Sequence, residues 1–329
     1  MSAPHRTIVG QGLAGTCLAW ELWKRGAPFS LVDREQGGSS RVAAGLINPV
    51  TGKHFEPSAR IAEFHPQAIE FYAEAETRLG LKLWHPLSVL RLADTEKEWR
   101  KMCSKSAQPE IARWLANDGA PVDADGWVGA LELTGSGRLD TRAFLDASRE
   151  FFRRHGIYQK AEAGDGDDGS RVWCDGAAGL IRGRCGPHRC AKGEILTLRA
   201  RGWDETRIRI GSGGWLVPLG GGLFKAGSTY EWHELDEKPS AAGRARVEEI
   251  AARLGGRDFE VIAHEAGIRP ILRCSEPLIG PLGGGDWIFN GLGSKGSLYA
   301  PGVARRLARW LTENVEPEPD LDFRRFRGP

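Results

Sequence analysis

With 329 residues and 41% hydrophobic content, the chain can bury a large core, as two domains or as one domain with a sizeable insertion, and it is not a disordered polymer. Its 45 Lys and Arg against 43 Asp and Glu leave a formal net charge of +2, which argues against a protein that coats nucleic acid or a membrane surface by overall charge. The six cysteines include no Cys-x-x-Cys pair, so neither a disulfide framework nor a zinc knuckle is indicated.

No apolar run approaches a membrane span, and Met1 to Arg6 leads into the first strand without a signal-like segment, so the cytoplasm is the expected location. Arg6 to Val9 reads as a short buried strand, and Gly10, Gly12 and Gly15 after it form a G-x-G-x-x-G. The three glycines serve different ends. Gly10 makes the tight turn, Gly12 lets backbone touch a pyrophosphate, and Gly15 lets the helix pack close to the sheet. The phosphates would sit on the free N–H groups at the helix start. Ala14, Leu18 and Leu22 recur at helical spacing, Lys24 and Arg25 suit the negative helix end, and Gly26 closes it. A second strand, Phe29 to Val32, ends on Asp33, at the offset where an acid accepts ribose hydroxyls.

After a small-residue segment from Val42 to Gly52, Ile61, Phe64, Ala68, Phe71, Ala75 and Leu79 mark an amphipathic helix, with Pro66 near its first turn and Gly80 at its end. Leu87 to Leu92 reads as a strand, and Thr95 caps a helix that carries Trp99 and Met102. Trp127 to Leu133 is a further strand, and Asp140 caps a helix whose face holds Phe144, Leu145, Ser148, Phe151 and Phe152. The polar run Glu162 to Ser170 is expected to be a surface loop before a strand, Arg171 to Asp175, that ends in the small residues Gly176 to Gly179. Cys185, His188 and Cys190 would make a conceivable metal clip, but no second ligand pair accompanies them, and no metal site is expected. Lys192 to Leu198 is a strand, and the runs from Trp215 and from Leu223 flank Gly220 to Gly222 as a hairpin. Ser240 to Leu254 is a helix closed by Gly255, and a strand region follows from Phe259 to Pro270. Near the end, a strand from Trp287 again meets a glycine loop, Gly291 to Gly296, in a stretch that runs to Pro301, and a helix with Val303, Leu307, Trp310 and Leu311 is expected to follow it; the tail Glu316 to Asp320 is extended.

Four segments, taken together and in this order, resemble the FAD-dependent oxidoreductases of the D-amino-acid oxidase family, which includes glycine and sarcosine oxidases. They are Gly10 to Gly15, Ser39 to Leu46, Gly267 to Pro270 with Pro277 and Gly280, and Gly291 to Gly296 with Pro301. The resemblance implies a Rossmann-like α/β FAD-binding domain interleaved with an antiparallel-sheet α+β substrate domain. The expected segments are residues 1–52, 134–210 and 266–329 for the first domain and 53–133 and 211–265 for the second. It also implies that Gly12, Leu13 and Ala14 lie at the pyrophosphate, Asp33 and Arg34 at the adenosine, and Ser40, Arg41, Ala44, Gly45 and Leu46 along the rest of FAD; the small residues from Gly176, read from the sequence itself, are consistent with a second edge of that nucleotide domain and make Gly176 a further candidate cofactor contact. The last loop, Leu292, Gly293, Ser294, Lys295, Gly296, Ser297 and Leu298, would bring N–H groups to the flavin pyrimidine edge, where a reduced flavin gathers negative charge. No Cys or His lies in that loop, so the FAD is expected to be non-covalent. The family's usual Asp five residues after the Arg-Pro arginine is Cys274 here, and the stretch from Tyr158 to Arg171 is short; these departures bear on substrate class and on the adenine contacts.

Hydride transfer from an amine C–H to flavin N5 needs an anchor more than it needs a base. Arg269 resembles the arginine that clamps a substrate carboxylate, the alternative being an internal salt bridge. Lys295 is a candidate flavin or substrate contact, or a surface lysine; Trp215 and Tyr230 correspond to pocket-lining positions, or are hairpin core. The expected partner is therefore a small amine or amino acid. Two other readings stay open within flavin chemistry. The last loop and the tail are also similar to the FAD domain of the bifunctional enzyme that modifies wobble uridine in tRNA, with Arg305, Arg306 and Arg309 as candidate phosphate contacts; a flavin-binding protein without turnover is the other. An NAD-dependent dehydrogenase fits the first motif and leaves the last glycine loop unexplained.

Overall fold

The computed structural model describes residues 4–162, 170–274 and 276–326, so most of the loop expected between Glu162 and Ser170 lies outside the described residues. Strand β1 (Arg6–Val9) turns through glycine into helix α1 (Leu13–Lys24), and β2 (Phe29–Asp33) follows. Next come α2 (Ile61–Leu79), β3 (Ser88–Ala93), α3 (Glu96–Ser106) and β4 (Gly129–Leu133). Helix α4 (Thr141–Arg154), β5 (Tyr158–Lys160) and β6 (Arg171–Trp173) return to the first layer. Four strands, β7 (Ala191–Arg199), β8 (Arg207–Gly211), β9 (Gly214–Gly220) and β10 (Leu223–Gly227), lead to α5 (Ala241–Leu254) and β11 (Glu260–Arg269). The chain closes with β12 (Leu278–Gly283), β13 (Asp286–Asn290) and α6 (Gly296–Glu313).

Two sheets organise these elements. The first has the order β5-β2-β1-β6-β13-β12, parallel except for the last pair. Parallel strands covered on both faces carry apolar residues at their centres, and Ile8, Leu31, Val172 and Phe289 are fully buried. The second has the order β11-β7-β10-β9-β8-β3-β4, antiparallel except between β8 and β3. Alternation divides its faces. Leu196, Leu198, Leu216 and Phe224 pack with Val247, Ile250 and Leu254 of α5, whereas Ile195, Trp215, Ile210 and Arg91 are register partners on the opposite face.

The helix starts match local chemistry. Thr95, Asp140 and Ser240 accept hydrogen bonds from Glu98, Ala143 and Gly243 N–H. Three expectations change. The strands at 191–199 and 207–211, assigned to the FAD-binding segments, hydrogen-bond into the seven-stranded sheet, because pairing with β10 and β11 is decided by tertiary contact and not by sequence neighbourhood. Gly176 to Ile181 is a short helix, so the strand ends at Trp173. Helix α6 begins at Gly296 with Pro301 inside it; proline supplies no N–H there, and the Tyr72 hydroxyl donates to the Ser297 carbonyl at 2.8 Å instead. The tail is clasped: Arg60 pairs with Glu318 and Asp320, and Arg306 with Glu318.

Candidate functional site

A cavity of about 1120 Å³ runs between the two sheets, from Asp33 and Arg34 past the β1–α1 turn to Arg269 and Arg91. At that turn, Gly10 has φ +104°, and an added Cβ would stand 2.6 Å from the Cys174 carbonyl oxygen of the neighbouring chain segment, so only glycine fits. A side chain at Gly15 would collide with the Gly10 carbonyl. Gly12 differs: the nearest atom to an added Cβ is Ser40 Oγ at 3.2 Å, and the rest of that space is open cavity. Ser40 Oγ also accepts from Leu13 N–H at 3.1 Å, fixing the segment after Gly38 against the start of α1.

These residues fit a bound dinucleotide. The first turn of α1 has no acidic side chain, which leaves the positive helix end open to phosphate. Arg41 is held to Asp146 through Nη2 at 2.5 Å, while its buried Nη1 has no protein partner. Asp33 accepts from Gln11 N–H at 2.8 Å and Glu35 N–H at 2.6 Å; both bonds orient the carboxylate, and an ionised carboxylate keeps further acceptor sites. Arg34, Ala44, Gly45, Leu46 and Gly176 line the same cavity, as do Leu292 to Leu298, whereas Gly15 lies beneath it. Helix α6 has no acid in its first turn either, so its positive end faces the cavity at the last glycine loop.

Arg269, Trp215, Tyr230 and Lys295 all lie on the cavity wall, brought there from four separate segments. Arg269 ends β11 and lies over Gly193, where any side chain would collide with its guanidinium. It donates to the Lys192 carbonyl at 3.2 Å, Ser228 Oγ at 2.7 Å and the Thr229 carbonyl at 3.1 Å, and its carbon sits 4.0 Å from the Tyr230 ring centre. Among the described residues it has no carboxylate partner, contrary to the internal salt bridge held as the alternative. Burial lowers its pKa, with Tyr230 opposing. Trp215 packs over Gly227, while Tyr230 is 47% exposed and stacks beside Trp232. Lys295 is also without an ion pair among the described residues, and burial lowers its pKa.

Several residues of the site have no sequence signal. Asn290 donates to Asp175 at 3.2 Å and to the Gly176 carbonyl at 3.0 Å, and Arg184 lies 3.5 Å above the Trp173 ring and binds Asp175. Burial, outweighing Arg184, raises the Asp175 pKa. Lys225 donates to the Val42 carbonyl at 2.6 Å, tying the floor of the second sheet to the Ser39–Leu46 segment. Each was legible only as a strand residue or loop polar group. Among the described residues no group of three or more His, Cys, Asp or Glu is placed to hold a metal, and His188 Nδ1 accepts from Cys190 N–H. No helix among them is long and apolar enough to cross a membrane.

The chain is 24% identical over 95% of its length to the tRNA 5-methylaminomethyl-2-thiouridine biosynthesis bifunctional protein MnmC of Marinobacter nauticus, of which it spans 55%. It is 25% identical to the glycine oxidase of Pseudomonas aeruginosa, covering 95% of this chain and 96% of that one. It thus spans about half the length of the first relative and nearly all of the second. Among solved structures, glycine oxidase from Geobacillus kaustophilus superposes with a TM-score of 0.78 at 21% identity, covering 95% of this chain and 96% of that one. The description of the DAO family, FAD dependent oxidoreductase, matches residues 7–310. That match takes in both glycine loops, Arg269 and the strands that carry them, and the chain belongs to the DAO family of FAD-dependent oxidoreductases.

Proposed function

We propose that this chain oxidises the C–N bond of an amino acid or secondary amine and holds the substrate carboxylate at Arg269. The observation that carries the reading is the state of that arginine. Its guanidinium is half-buried on the cavity wall, fixed by three uncharged oxygens, and meets no carboxylate among the described residues. Three N–H groups engaged leave two of the guanidinium's five for a ligand. A buried cation without a counter-charge costs stability, and a substrate carboxylate offsets that cost.

FAD, when bound, supplies the acceptor for a hydride from the carbon next to the amine. The chain's own residues then orient and shield. Trp215 gives a flat apolar wall, and Tyr230 covers the Arg269 guanidinium from the solvent side. Lys295 and the N-terminus of α6 place positive charge at one end of the cavity, where negative charge develops on reduction. No side chain is required as a base, because a neutral amine loses its hydride directly. The absence of Cys and His from residues 291–301 supports non-covalent FAD.

An RNA substrate has less support. Arg305, Arg306 and Arg309 of α6 are paired with Glu70, with Glu63 and Glu318, and with Glu313, so that helix face is close to neutral. The test is anaerobic bleaching of the flavin by a panel of amino acids and N-alkylglycines. Bleaching by carboxylate-bearing amines and not by their decarboxylated counterparts is the expected result. Reduction by light alone, with no amine active, would favour a flavin-binding protein without turnover.

A further inference from the structure

The cavity wall also holds a second arginine, on another strand of the seven-stranded sheet, that the amine chemistry does not use. Arg91 sits on β3, in register with Ile210 of β8, on the sheet face that carries Trp215. Its Nη2 donates to the Gly52 carbonyl at 3.1 Å, and its Nε is buried without any partner. No carboxylate pairs with it among the described residues, and it lines the cavity as Lys53 does. Glu98 lines the same cavity, but its carboxylate accepts from Asp94 N–H at 3.0 Å at the start of α3. Burial lowers the Arg91 pKa, and Glu98 acts against that lowering.

The spacing says what kind of molecule could use both arginines. The Arg269 guanidinium lies over β7, and β7 is separated from β3 by β10, β9 and β8. Four strand steps of about 4.8 Å each put the two backbones roughly 19 Å apart, less the reach of the side chains. One carboxylate cannot meet both cations; a ligand that meets both carries two anionic groups with a spacer between them.

We infer that Arg91, with Lys53, forms a second anion-recognising end of the cavity, so that the substrate is an N-substituted amino acid whose amine substituent is elongated and ends in a carboxylate or phosphate-type group. This rests on the reading of Arg269 as the anchor for the first carboxylate. It makes Arg91 a specificity residue that selects the tail of the substrate and takes no part in the hydride step.

The FAD-loaded full chain is reduced anaerobically with N-(carboxyalkyl)glycines of rising chain length, with N-alkylglycines of matched length, and with the N-(phosphonoalkyl)glycines. The ratio of half-saturation between neutral and charged tails should be near one for the shortest members and reach about tenfold or more for the long ones, as expected for a desolvated charged pair. The phosphonate arm decides which anion is preferred. In Arg91→Gln that ratio should fall severalfold, and Arg91→Lys should keep part of it, since an ammonium lacks the guanidinium fork. A ratio near one at every length in the wild type overturns the inference, whether or not the variants fold. Binding of redox-inert α,ω-dicarboxylates, read from the flavin difference spectrum, applies the same length and Arg91 criteria without turnover. Failure of every amine to bleach the flavin therefore sinks the amine reading alone, and loss of the length dependence in binding sinks the second anion end.

Discussion

Gly12 is extended, with φ −80° and ψ −167°, and an added Cβ would point beside Ser40 Oγ into the cavity, where our reading places a pyrophosphate at the start of α1. A side chain there would need Ser40 Oγ, 3.2 Å from the added Cβ, to give slightly, and would occupy the space proposed for the pyrophosphate. Gly12→Val should therefore fold with its melting curve nearly that of the FAD-free wild type yet retain no flavin on gel filtration, whereas a substitution at Gly10 should impair folding itself. Retention of stoichiometric FAD by Gly12→Val would contradict the placement. The glycines and Asp33 were legible in the sequence because their spacing is imposed by a local turn. Asp175, Lys225 and Asn290 were not, since each acquires its role from a partner on another strand: Arg184 and Asn290 for Asp175, and Val42 for Lys225. Arg269 was singled out by its neighbour Pro270, but its three uncharged partners come from two other strand ends.

Helix α6 illustrates how tertiary structure absorbs a locally unfavourable residue. Sequence rules place proline at a helix edge, and the helix was expected to follow Pro301; instead Tyr72 of α2 satisfies the Ser297 carbonyl that the proline strands. Tyr72→Phe should cost about 1–3 kcal/mol of unfolding free energy by denaturant titration, the penalty of a buried acceptor left unmade. The tail read as plain extended chain closes the same helix pair. Burial would raise the Glu318 pKa, but the hydrogen bond from Arg306 and the charge of Arg60 outweigh it and bring the value down to about 2. A carboxyl depressed in the folded state contributes stability above its ordinary pKa and loses it as pH falls through the folded value. Between pH 4.5 and about 2 the wild type should lose thermal stability more steeply than Glu318→Gln, as followed by melting curves across that window. Parallel pH profiles for the two proteins would count against the clasp.

The whole molecule is two large sheets facing one cavity, whose wall draws residues from both. The α/β class was legible from two glycine loops at opposite ends of the chain, and the interleaving only through the family resemblance that the four segments carry. The boundary at residue 210 was not, because β7 and β8 resemble any alternating strands and only their pairing with β10, β11, β9 and β3 assigns them to the second sheet. Removing FAD should lower the melting temperature in proportion to the free-energy linkage, with added FAD at about 100-fold excess over its Kd restoring roughly 2.7 kcal/mol. The central claim is that this assembly holds an amino-acid carboxylate at Arg269 while FAD takes the hydride. Stopped-flow flavin reduction against substrate concentration, for the wild type, Arg269→Ala and Arg269→Lys, tests it most directly. Loss of a desolvated charged pair worth roughly 2–5 kcal/mol predicts a half-saturation point at least about tenfold higher in Arg269→Ala, partial recovery in Arg269→Lys, and full retention of FAD in both. An unchanged half-saturation point in Arg269→Ala would contradict the account, leaving Arg269 a structural residue and the carboxylate bound elsewhere.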